Sequence, residues 1–427
     1  MDDVYIIGTA GTSFGKHPDK SFKELTRDAY LAVTDDAGLG DPDVIDQAWF
    51  GNCGMGTFGQ RNIRGQVCFT PLVEEGLFPE RVPIINVEGG CATASMAFHG
   101  AWKDILSGQA DVSLAIGVEK TFVADNPDKT LEIFEGGIDQ LDPDEWRAYY
   151  RRAGETAGKP FDEHGGGGTV FMNTYAMQAA YHITQRGSTQ EQIAYAASKN
   201  HQMGSLNPLA QYRFEISTEE ILADREVSWP LTRSMCAPVG DGAAAAILCS
   251  KRVLESLPAE TQERAIRVRA STLTGGKYRA LDEPSLSAVA AKRAYASAAM
   301  GPESIDIAEV HDATSFNELY QCEMLGFCEA GRGGDYVASG ATTRDGERPI
   351  NLSGGLVSKG HPVGATGLSM IYELGLQLRG EAGERQRKGA RTGLAENGGG
   401  VIGFDEAACS IVILESQMSE DARIPLQ

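Results

Sequence analysis

Residues 83–120 read PIINVEGGCATASMAFHGAWKDILSGQADVSLAIGVEK. The apolar run at 84–87 predicts a β-strand, and the two glycines at 89 and 90 predict a tight turn after it. A stretch with helical spacing of apolar residues follows, stops at Gly108 and leads into a second apolar strand, Val112–Val118. Together these segments predict a βαβ unit.

A related pattern, PINLSGGLVSKGHPVGATGLSMIYELGLQLRG, occupies residues 349–380. Both copies begin with Ile-Asn-x-x-Gly-Gly and run through a turn of small residues into a helix that contains methionine. After a polar loop, the apolar stretch Ala408–Glu415 is expected to close the second copy, as Val112–Val118 closes the first. Because 427 residues are too many for one core of ordinary size, the repeat predicts two similar α/β halves that face each other.

Composition excludes several classes of function. Apolar residues make up 42% of the chain, but no run of about 18 of them could span a bilayer. The opening MDDVYIIGTAG has two acids where a secretory signal has basic residues, so a cytoplasmic location is expected. The net charge of −21 argues against nucleic acid or an anionic membrane as a partner. The eight cysteines form no CxxC pair, and no structural metal is expected.

Cys91 is the first candidate for chemistry, because it lies where the strand at 84–87 gives way to a helix. Unpaired N–H groups and the positive end of the helix dipole favour a thiolate at such a position. The alternative is a buried structural cysteine.

Two histidines are further candidates. His361 lies in Gly-His-Pro-Val-Gly-Ala-Thr-Gly, where proline and glycines would hold it rigidly as a base for a thiol, although it could instead cap a helix. The duplication places it in the copy equivalent to the Cys91 turn. His311 follows the run IDIAEV, at the carboxyl end of an expected strand, where it would donate a hydrogen bond to an oxyanion. A solvated surface histidine is the other interpretation.

The order of these motifs resembles that of the thiolase superfamily along nearly the whole chain, from Val4 to Leu414. The matching segments are Asn86–Ala94 around Cys91, residues 207–213 with 230–231, residues 236–245, and the Gly-His-Pro block at 360–362. The resemblance implies an α/β thiolase fold, with two pseudo-duplicated five-layered αβαβα halves and an inserted loop domain. The implied boundaries are 1–120 with 231–255 for the N-terminal half, 121–230 for the loop domain and 256–427 for the C-terminal half.

His311-Asp312 is similar to the sterol-carrier-protein-2 branch of that superfamily, which carries His-Asp-Cys-Phe. Here Ala313 stands in place of the second cysteine of that motif, and Thr314 in place of the phenylalanine. The segment before the C-terminal glycines, residues 394–400, also has no thiol. No second catalytic cysteine is therefore implied. Glu396 is a possible acid/base by its chain position, with an exposed loop glutamate as the alternative.

The resemblance implies that His361 takes the proton of Cys91 and that the thiolate attacks a carbonyl to form an acyl-enzyme. His311, acting through a water, and backbone N–H groups near Cys91 or in the glycine loop of Asn397 and Gly399 would stabilise the oxyanions. Coenzyme A and acyl-CoA enter as substrates, and no covalently bound cofactor or metal is implied.

The expected activity is thiolytic cleavage of a 3-oxoacyl-CoA, or the reverse Claisen condensation, in the breakdown of lipid or aromatic compounds. A bulky or aromatic substrate such as benzoylsuccinyl-CoA is suggested by Ala313 and by relatives in this branch. A homodimer or dimer of dimers is expected, with a separately encoded OB-fold zinc-ribbon protein as a possible partner. Three alternatives stay open: acyl transfer to another acceptor, a retro-aldolase, and a non-catalytic subunit.

Overall fold

A mixed sheet of nine strands runs through the molecule, and strands from both halves of the chain contribute to it. The computed structural model describes residues 3–163 and 169–418. The strands are β1 Val4–Gly11, β2 Gln47–Gly51, β3 Ile84–Val87, β4 Val112–Glu119, β5 Glu226–Ser228, β6 Leu231–Thr232, β7 Gly242–Ser250, β8 Ile266–Gly275, β9 Ile307–Val310, β10 Thr392–Gly399 and β11 Ala408–Ser416.

The sheet has the order β3-β2-β4-β7-β1-β8-β11-β10-β9, and β5 with β6 forms a separate small hairpin. The first five strands in this order come from the N-terminal part of the chain and the last four from the C-terminal part. They meet where β1 pairs with β8 through only two residue pairs. The sheet is therefore two sheets joined along a short antiparallel contact.

The helices cover both faces of these sheets. They are α1 Phe22–Asp36, α2 Arg64–Glu74, α3 Thr93–Ser107, α4 Pro127–Glu135, α5 Pro143–Ala157, α6 Val170–Arg186, α7 Gln190–Ser205, α8 Thr218–Ala223, α9 Lys251–Leu254, α10 Ala259–Arg264, α11 Leu286–Ala298, α12 Ser315–Met324, α13 Gly333–Ala338, α14 Gly355–Lys359 and α15 Thr366–Arg379.

Five layers result from this packing. The helices α1 and α11 lie on the outer faces of the N-terminal and C-terminal sheets, while α3 and α15 pack against each other and touch strands of both sheets. Strand β1 illustrates the arrangement, because Tyr5 and Ile7 belong to one apolar core and Val4 and Ile6 to another. Successive side chains of a strand point to opposite faces, so a strand that is buried on both faces is apolar throughout.

The expected duplication is present, but its closing strand was assigned wrongly. In the first copy β4 lies parallel to β2 and antiparallel to β7, and in the second copy β10 lies parallel to β9 and antiparallel to β11. Strand β10 is therefore the counterpart of β4, and Ala408–Ser416 is the counterpart of β7. The polar loop expected before Ala408 includes this additional buried strand.

Between β4 and β7, the described residues form helices α4 to α8 and the β5–β6 hairpin. Part of it contacts the C-terminal half, since Val401 N–H donates to Gly137 O at 2.9 Å. We propose residues 121–230 as the bounds of this inserted domain. Within the described ranges, no helix combines the length and apolar character that are needed to cross a bilayer.

Candidate active site

Cys91 lies in the turn that links β3 to α3. The strand ends at Val87, a short 3₁₀ turn spans Gly90–Ala92, and α3 begins at Thr93, as the sequence predicts. Gly90 has φ +57°, and a Cβ there would lie 2.6 Å from the backbone nitrogen of Gly400. Glycine is therefore required at this turn, both for its conformation and for the close approach of the other half.

Asn397 and Gly399, expected in a loop, lie at the end of strand β10, which packs directly on the backbone beside the nucleophile. A Cβ on Gly399 would lie 2.2 Å from the nitrogen of Ala92 and 2.7 Å from that of Cys91. The side-chain oxygen of Asn397 accepts a hydrogen bond from Ser95 Oγ at 2.8 Å, which ties β10 to α3. Gly399 thus lies at the nucleophile, whereas the Asn397 side chain holds the two halves together.

His361 is hydrogen-bonded to the nucleophile, with 3.1 Å between its Nε2 and Cys91 Sγ. Its other ring nitrogen, Nδ1, lies 2.6 Å from Thr366 Oγ1, and that hydroxyl donates to Pro362 O at 3.0 Å. Because the hydroxyl proton is used on Pro362, the hydroxyl oxygen accepts from Nδ1–H. This assigns the tautomer in which Nε2 is free to accept the thiol proton.

His311 follows β9 directly and is the third member of the group. Its ring centroid lies 5.2 Å from that of His361, in an edge-on arrangement. Cys91 Sγ and one nitrogen from each imidazole lie within 4.8 Å of one another. A soft metal ion would accept such donors, but the hydrogen bond between Cys91 and His361 already engages two of them.

Glu396 is buried in β10, so the alternative of an exposed loop glutamate is wrong. One carboxylate oxygen accepts from the backbone N–H of His311 at 3.0 Å, and the other accepts from Ser287 Oγ at 3.2 Å. Burial raises the pKa of Glu396 to about 8. One oxygen therefore holds the backbone of His311, and the other ties the same carboxyl group to Ser287 on α11.

Burial also controls the protonation of the three central groups. It raises the pKa of Cys91 to about 12, lowers that of His311 to about 4 and lowers that of His361 well below its usual value. The helix N-terminus was expected to favour a thiolate, but the loss of solvation outweighs it. The resting pair is therefore a neutral thiol and a neutral imidazole, and charge separates only when a substrate is attacked.

A cavity with about 660 Å³ of empty space opens in front of Cys91 and His361. The inserted segment supplies much of its wall, and that wall is largely apolar. The lining residues are Cys53, Glu88, Gly90, Cys91, Ile133, Phe134, Gly136, Gly137, Phe171, Met172, Tyr175, Ala313, His361, Val363 and Gly400.

Several residues of the site were not identified from the sequence. Cys53 follows β2, and its turn is fixed by the buried carboxylate of Glu119, which accepts the N–H groups of Cys53 and Gly54 at 2.9 and 3.0 Å. Phe171 and Tyr175 are one helical turn apart on α6, a spacing visible in the sequence that does not reveal which surface they face. Thr366 was within a quoted motif, but its contact with His361 depends on the turn.

Comparison with known proteins gives matches in both halves of the chain. Residues 4–141 match the family model described as thiolase, N-terminal domain, and residues 280–414 match the one described as thiolase C-terminal domain-like. An acetyl-CoA acetyltransferase from Methanothermobacter thermautotrophicus is 35% identical, over 94% of this chain and 98% of its own length. Human sterol carrier protein 2 is 34% identical over 95% of this chain and 73% of its own.

A third relative is the benzoylsuccinyl-CoA thiolase subunit BbsB of Thauera aromatica, which is 32% identical over 88% of this chain and 89% of its own. Among solved structures, an Ltp2-ChsH2(DUF35) aldolase superposes with a TM-score of 0.75 at 20% identity, covering 100% of this chain and 99% of its own. An acetyl-CoA acetyltransferase from Syntrophomonas wolfei gives a TM-score of 0.68 at 20% identity, with 97% and 99% covered. These structural likenesses concern the fold.

Proposed function

Because the chain belongs to the thiolase family of acyltransferases, we propose that it cleaves a 3-oxoacyl-CoA with coenzyme A, or catalyses the reverse Claisen condensation, through an acyl thioester on Cys91. The observation that carries this proposal is the 3.1 Å contact between Cys91 Sγ and His361 Nε2 at the wall of a cavity. A thiol paired with an oriented base is the arrangement that nucleophilic catalysis requires.

The first step is the attack of Cys91 on the 3-oxo carbonyl carbon. As the S–C bond forms, the thiol proton moves to Nε2 of His361, and the charge that develops on the carbonyl oxygen requires hydrogen-bond donors. Neutral His311 is one candidate donor, directly or through a water, and the backbone N–H groups beside Gly399 are others. The imidazolium of His361 balances the negative charge in the buried site.

Collapse of this adduct breaks the carbon–carbon bond and leaves the acyl group on Cys91. The electron pair moves to the α-carbon of the departing thioester, which must gain a proton. Coenzyme A then enters as a thiol, attacks the acyl-Cys91 thioester and releases the second acyl-CoA. Cys91 leaves as a thiolate and recovers its proton from His361.

The lining of the cavity favours a substrate with a bulky or aromatic acyl group. Phe134, Phe171 and Met172 supply apolar surface, and the small side chain of Ala313 leaves space in the same wall. Aromatic rings stack favourably with an aromatic acyl group. We therefore propose a 3-oxoacyl-CoA with a bulky or aromatic substituent, and benzoylsuccinyl-CoA is the example that the relative from Thauera aromatica suggests.

Replacing Ala313 with leucine tests this substrate class. The larger side chain fills part of the cavity, so acylation by benzoyl-CoA is expected to fall about tenfold more than acylation by acetyl-CoA. The two rates are measured by intact-protein mass spectrometry. Equal losses with both donors would contradict a bulky acyl group next to Ala313.

A separate partner protein is also part of the proposal. One relative is named as a subunit, and one structural neighbour is named as a complex with a DUF35 protein. We infer that an OB-fold zinc-ribbon protein, encoded apart from this chain, assists in binding the CoA substrates. Co-purification of the two proteins, with a change in KM for CoA, is the expected result.

The nucleophile is tested by brief exposure of the protein, with the accessory protein supplied, to acyl-CoA and 3-oxoacyl-CoA donors. The wild type is expected to gain the mass of one acyl group on Cys91, and the Cys91→Ala variant is expected to gain none. An adduct without carbon–carbon cleavage would favour acyl transfer to another acceptor. The absence of any adduct would favour a retro-aldolase or a non-catalytic subunit instead.

A further inference from the structure

The proposed cleavage requires a proton at the α-carbon. In the steps given above, His361 keeps the proton of Cys91 until the Cys91 thiolate leaves and takes it back. A second group in the cavity must therefore carry an exchangeable proton. The cavity-lining side chains with such a proton, apart from Cys91 and His361, are Cys53, Glu88 and Tyr175.

Cys53 and Glu88 fit this task poorly. The thiol of Cys53 is already in contact with Gly90 O at 3.3 Å and with Thr93 Oγ1 at 2.9 Å. Glu88 is exposed at the rim of the cavity, where bulk water reaches its carboxyl group. Glu396 does not line the cavity. One of its oxygens accepts from the backbone N–H of His311 and the other from the hydroxyl of Ser287.

Tyr175 differs from these groups, because it is 94% buried and its hydroxyl has no hydrogen-bond partner among the described residues. Three other buried tyrosines donate to backbone carbonyls: Tyr30 to Leu77, Tyr149 to Arg279 and Tyr150 to Gly403, at 2.8, 3.1 and 2.6 Å. The Tyr175 hydroxyl oxygen is not among the fully buried polar atoms that lack a partner, so it borders the space of the cavity and can meet a hydrogen-bond partner there. A ligand in the cavity provides that partner.

Resting on the proposed function, we propose that Tyr175 is the acid that protonates the α-carbon during cleavage and the base that removes a proton there during condensation. In cleavage, the Tyr175 O–H bond breaks, the proton bonds to the α-carbon, and the phenolate takes the thiol proton of the incoming coenzyme A. The resulting CoA thiolate attacks acyl-Cys91, and every proton and electron pair is accounted for.

The surroundings of Tyr175 suit this role. Its ring lies 6.4 Å from that of Phe171, one turn earlier on α6, so both rings belong to the same wall of the cavity. Burial and the nearby thiol and carboxyl groups hold the pKa of Tyr175 well above its usual range, so the phenol keeps its proton in the resting enzyme and gives it only to a strong base such as the α-carbanion. During turnover, the imidazolium of His361 compensates for the phenolate charge.

The test separates acylation from proton transfer in the Tyr175→Phe variant. Benzoyl-CoA has no α-proton, so acylation of Cys91 by this donor is expected to stay within a few-fold of the wild-type rate. Exchange of the α-protons of acetyl-CoA and succinyl-CoA with D₂O, measured by mass spectrometry, is expected to fall by about 10²–10⁴-fold. Thiolysis is expected to fall by the same factor.

Tyr149→Phe is the matched control, because it removes a buried phenol that does not line the cavity, and it should keep all three rates. Wild-type exchange in Tyr175→Phe, or an equal loss of acylation and exchange, would overturn the assignment. Loss of exchange in Cys53→Ala while Tyr175→Phe retains it would assign the proton to Cys53 instead. If the wild type forms no acyl-Cys91 with any donor, the proposed function itself has failed.

Discussion

The Thr366 hydroxyl determines which nitrogen of His361 faces the nucleophile. It accepts from Nδ1 and donates to Pro362 O, so Nε2 is left as the acceptor for the thiol proton. Thr366→Val keeps the shape of the side chain but removes this hydrogen bond. We expect acylation of Cys91 to slow by about tenfold, the equivalent of one hydrogen bond, as measured by the rate of adduct formation from acetyl-CoA.

The Thr366→Ser variant is the control for this prediction. Serine keeps the hydroxyl and loses only a methyl group, so acylation should return to near the wild-type rate. If valine and serine variants acylate equally fast, the orientation of His361 does not depend on this hydroxyl.

Glu396 makes folding depend on pH in a direction opposite to that of a salt-bridged acid. Its pKa rises from 4.5 to about 8 on folding, so between these values the folded protein holds a proton that the unfolded chain has lost. The stability contributed by this proton is complete below about pH 4.5 and is lost as pH rises through 8. Glu396→Gln removes the ionisation, so the Tm of the variant should fall less than that of the wild type from pH 5 to 8.

The same Glu396→Gln variant separates two roles of the carboxyl group. A glutamine at this position keeps an oxygen that accepts from the His311 N–H, and its amide can hydrogen-bond to Ser287. Acylation and the exchange of α-protons should therefore stay within a few-fold of the wild-type rates. Loss of exchange alone would instead identify Glu396 as the acid at the α-carbon.

The sequence identified the site residues that stand in unusual backbone surroundings. Cys91 and His361 are bracketed by glycines and proline, and His311 ends an apolar strand, so their positions could be inferred from local pattern. Tyr175 carries no such local pattern, and the glycines around Cys53 do not by themselves reveal which surface its thiol faces. Both residues reach the cavity because β2 and α6 pack there, and such long-range packing is not encoded in a short stretch.

At the scale of elements, the two glycine turns are expected to tolerate no side chain where they meet. Gly399→Ala would place a Cβ 2.2 Å from the nitrogen of Ala92, so either the turn of Cys91 or the end of β10 must shift. We expect loss of Cys91 acylation by at least 10²-fold, because catalysis is sensitive to displacements of about 1 Å. The measurement is adduct formation, together with the far-UV circular dichroism spectrum.

Gly275→Ala is the matched control, since Gly275 ends β8 and an added Cβ would meet nothing within 4 Å. It should keep both the spectrum and the rate. An active Gly399→Ala variant would mean that the two turns are not held against each other as tightly as the structure indicates.

The predictions for individual elements succeeded where the pattern was regular. The strand Ile84–Val87 was predicted with its observed bounds, since it is a short apolar run before two glycines. Strand β10 was missed because TGLAENGG contains an acid, an amide and three glycines, a composition typical of loops. It is a strand because β9 and β11 pair with it on both sides, an arrangement that only the assembled sheet creates.

At the scale of the whole molecule, β3 leaves one edge of the nine-stranded sheet uncovered by another strand. Its four residues are only half-buried. One side of β3 pairs with β2, and Gln66 Nε2 donates to Ile84 O at 2.7 Å. Open edges invite pairing with a second chain, and a two-fold axis is the commonest way to close them. We therefore predict a homodimer through this edge, with a mass twice 45.6 kDa by light scattering.

The variant Ile85→Lys tests this dimer, because it places a charge on the half-buried edge strand without touching the cavity-lining residues. We expect the mass to fall to that of one chain and acylation of Cys91 to weaken, since β3 leads directly into the nucleophile turn and would lose the support of its partner. Val289→Lys, on the outer surface of α11, should leave the mass unchanged. A wild-type monomer, or an Ile85→Lys variant that stays dimeric, would place the interface elsewhere.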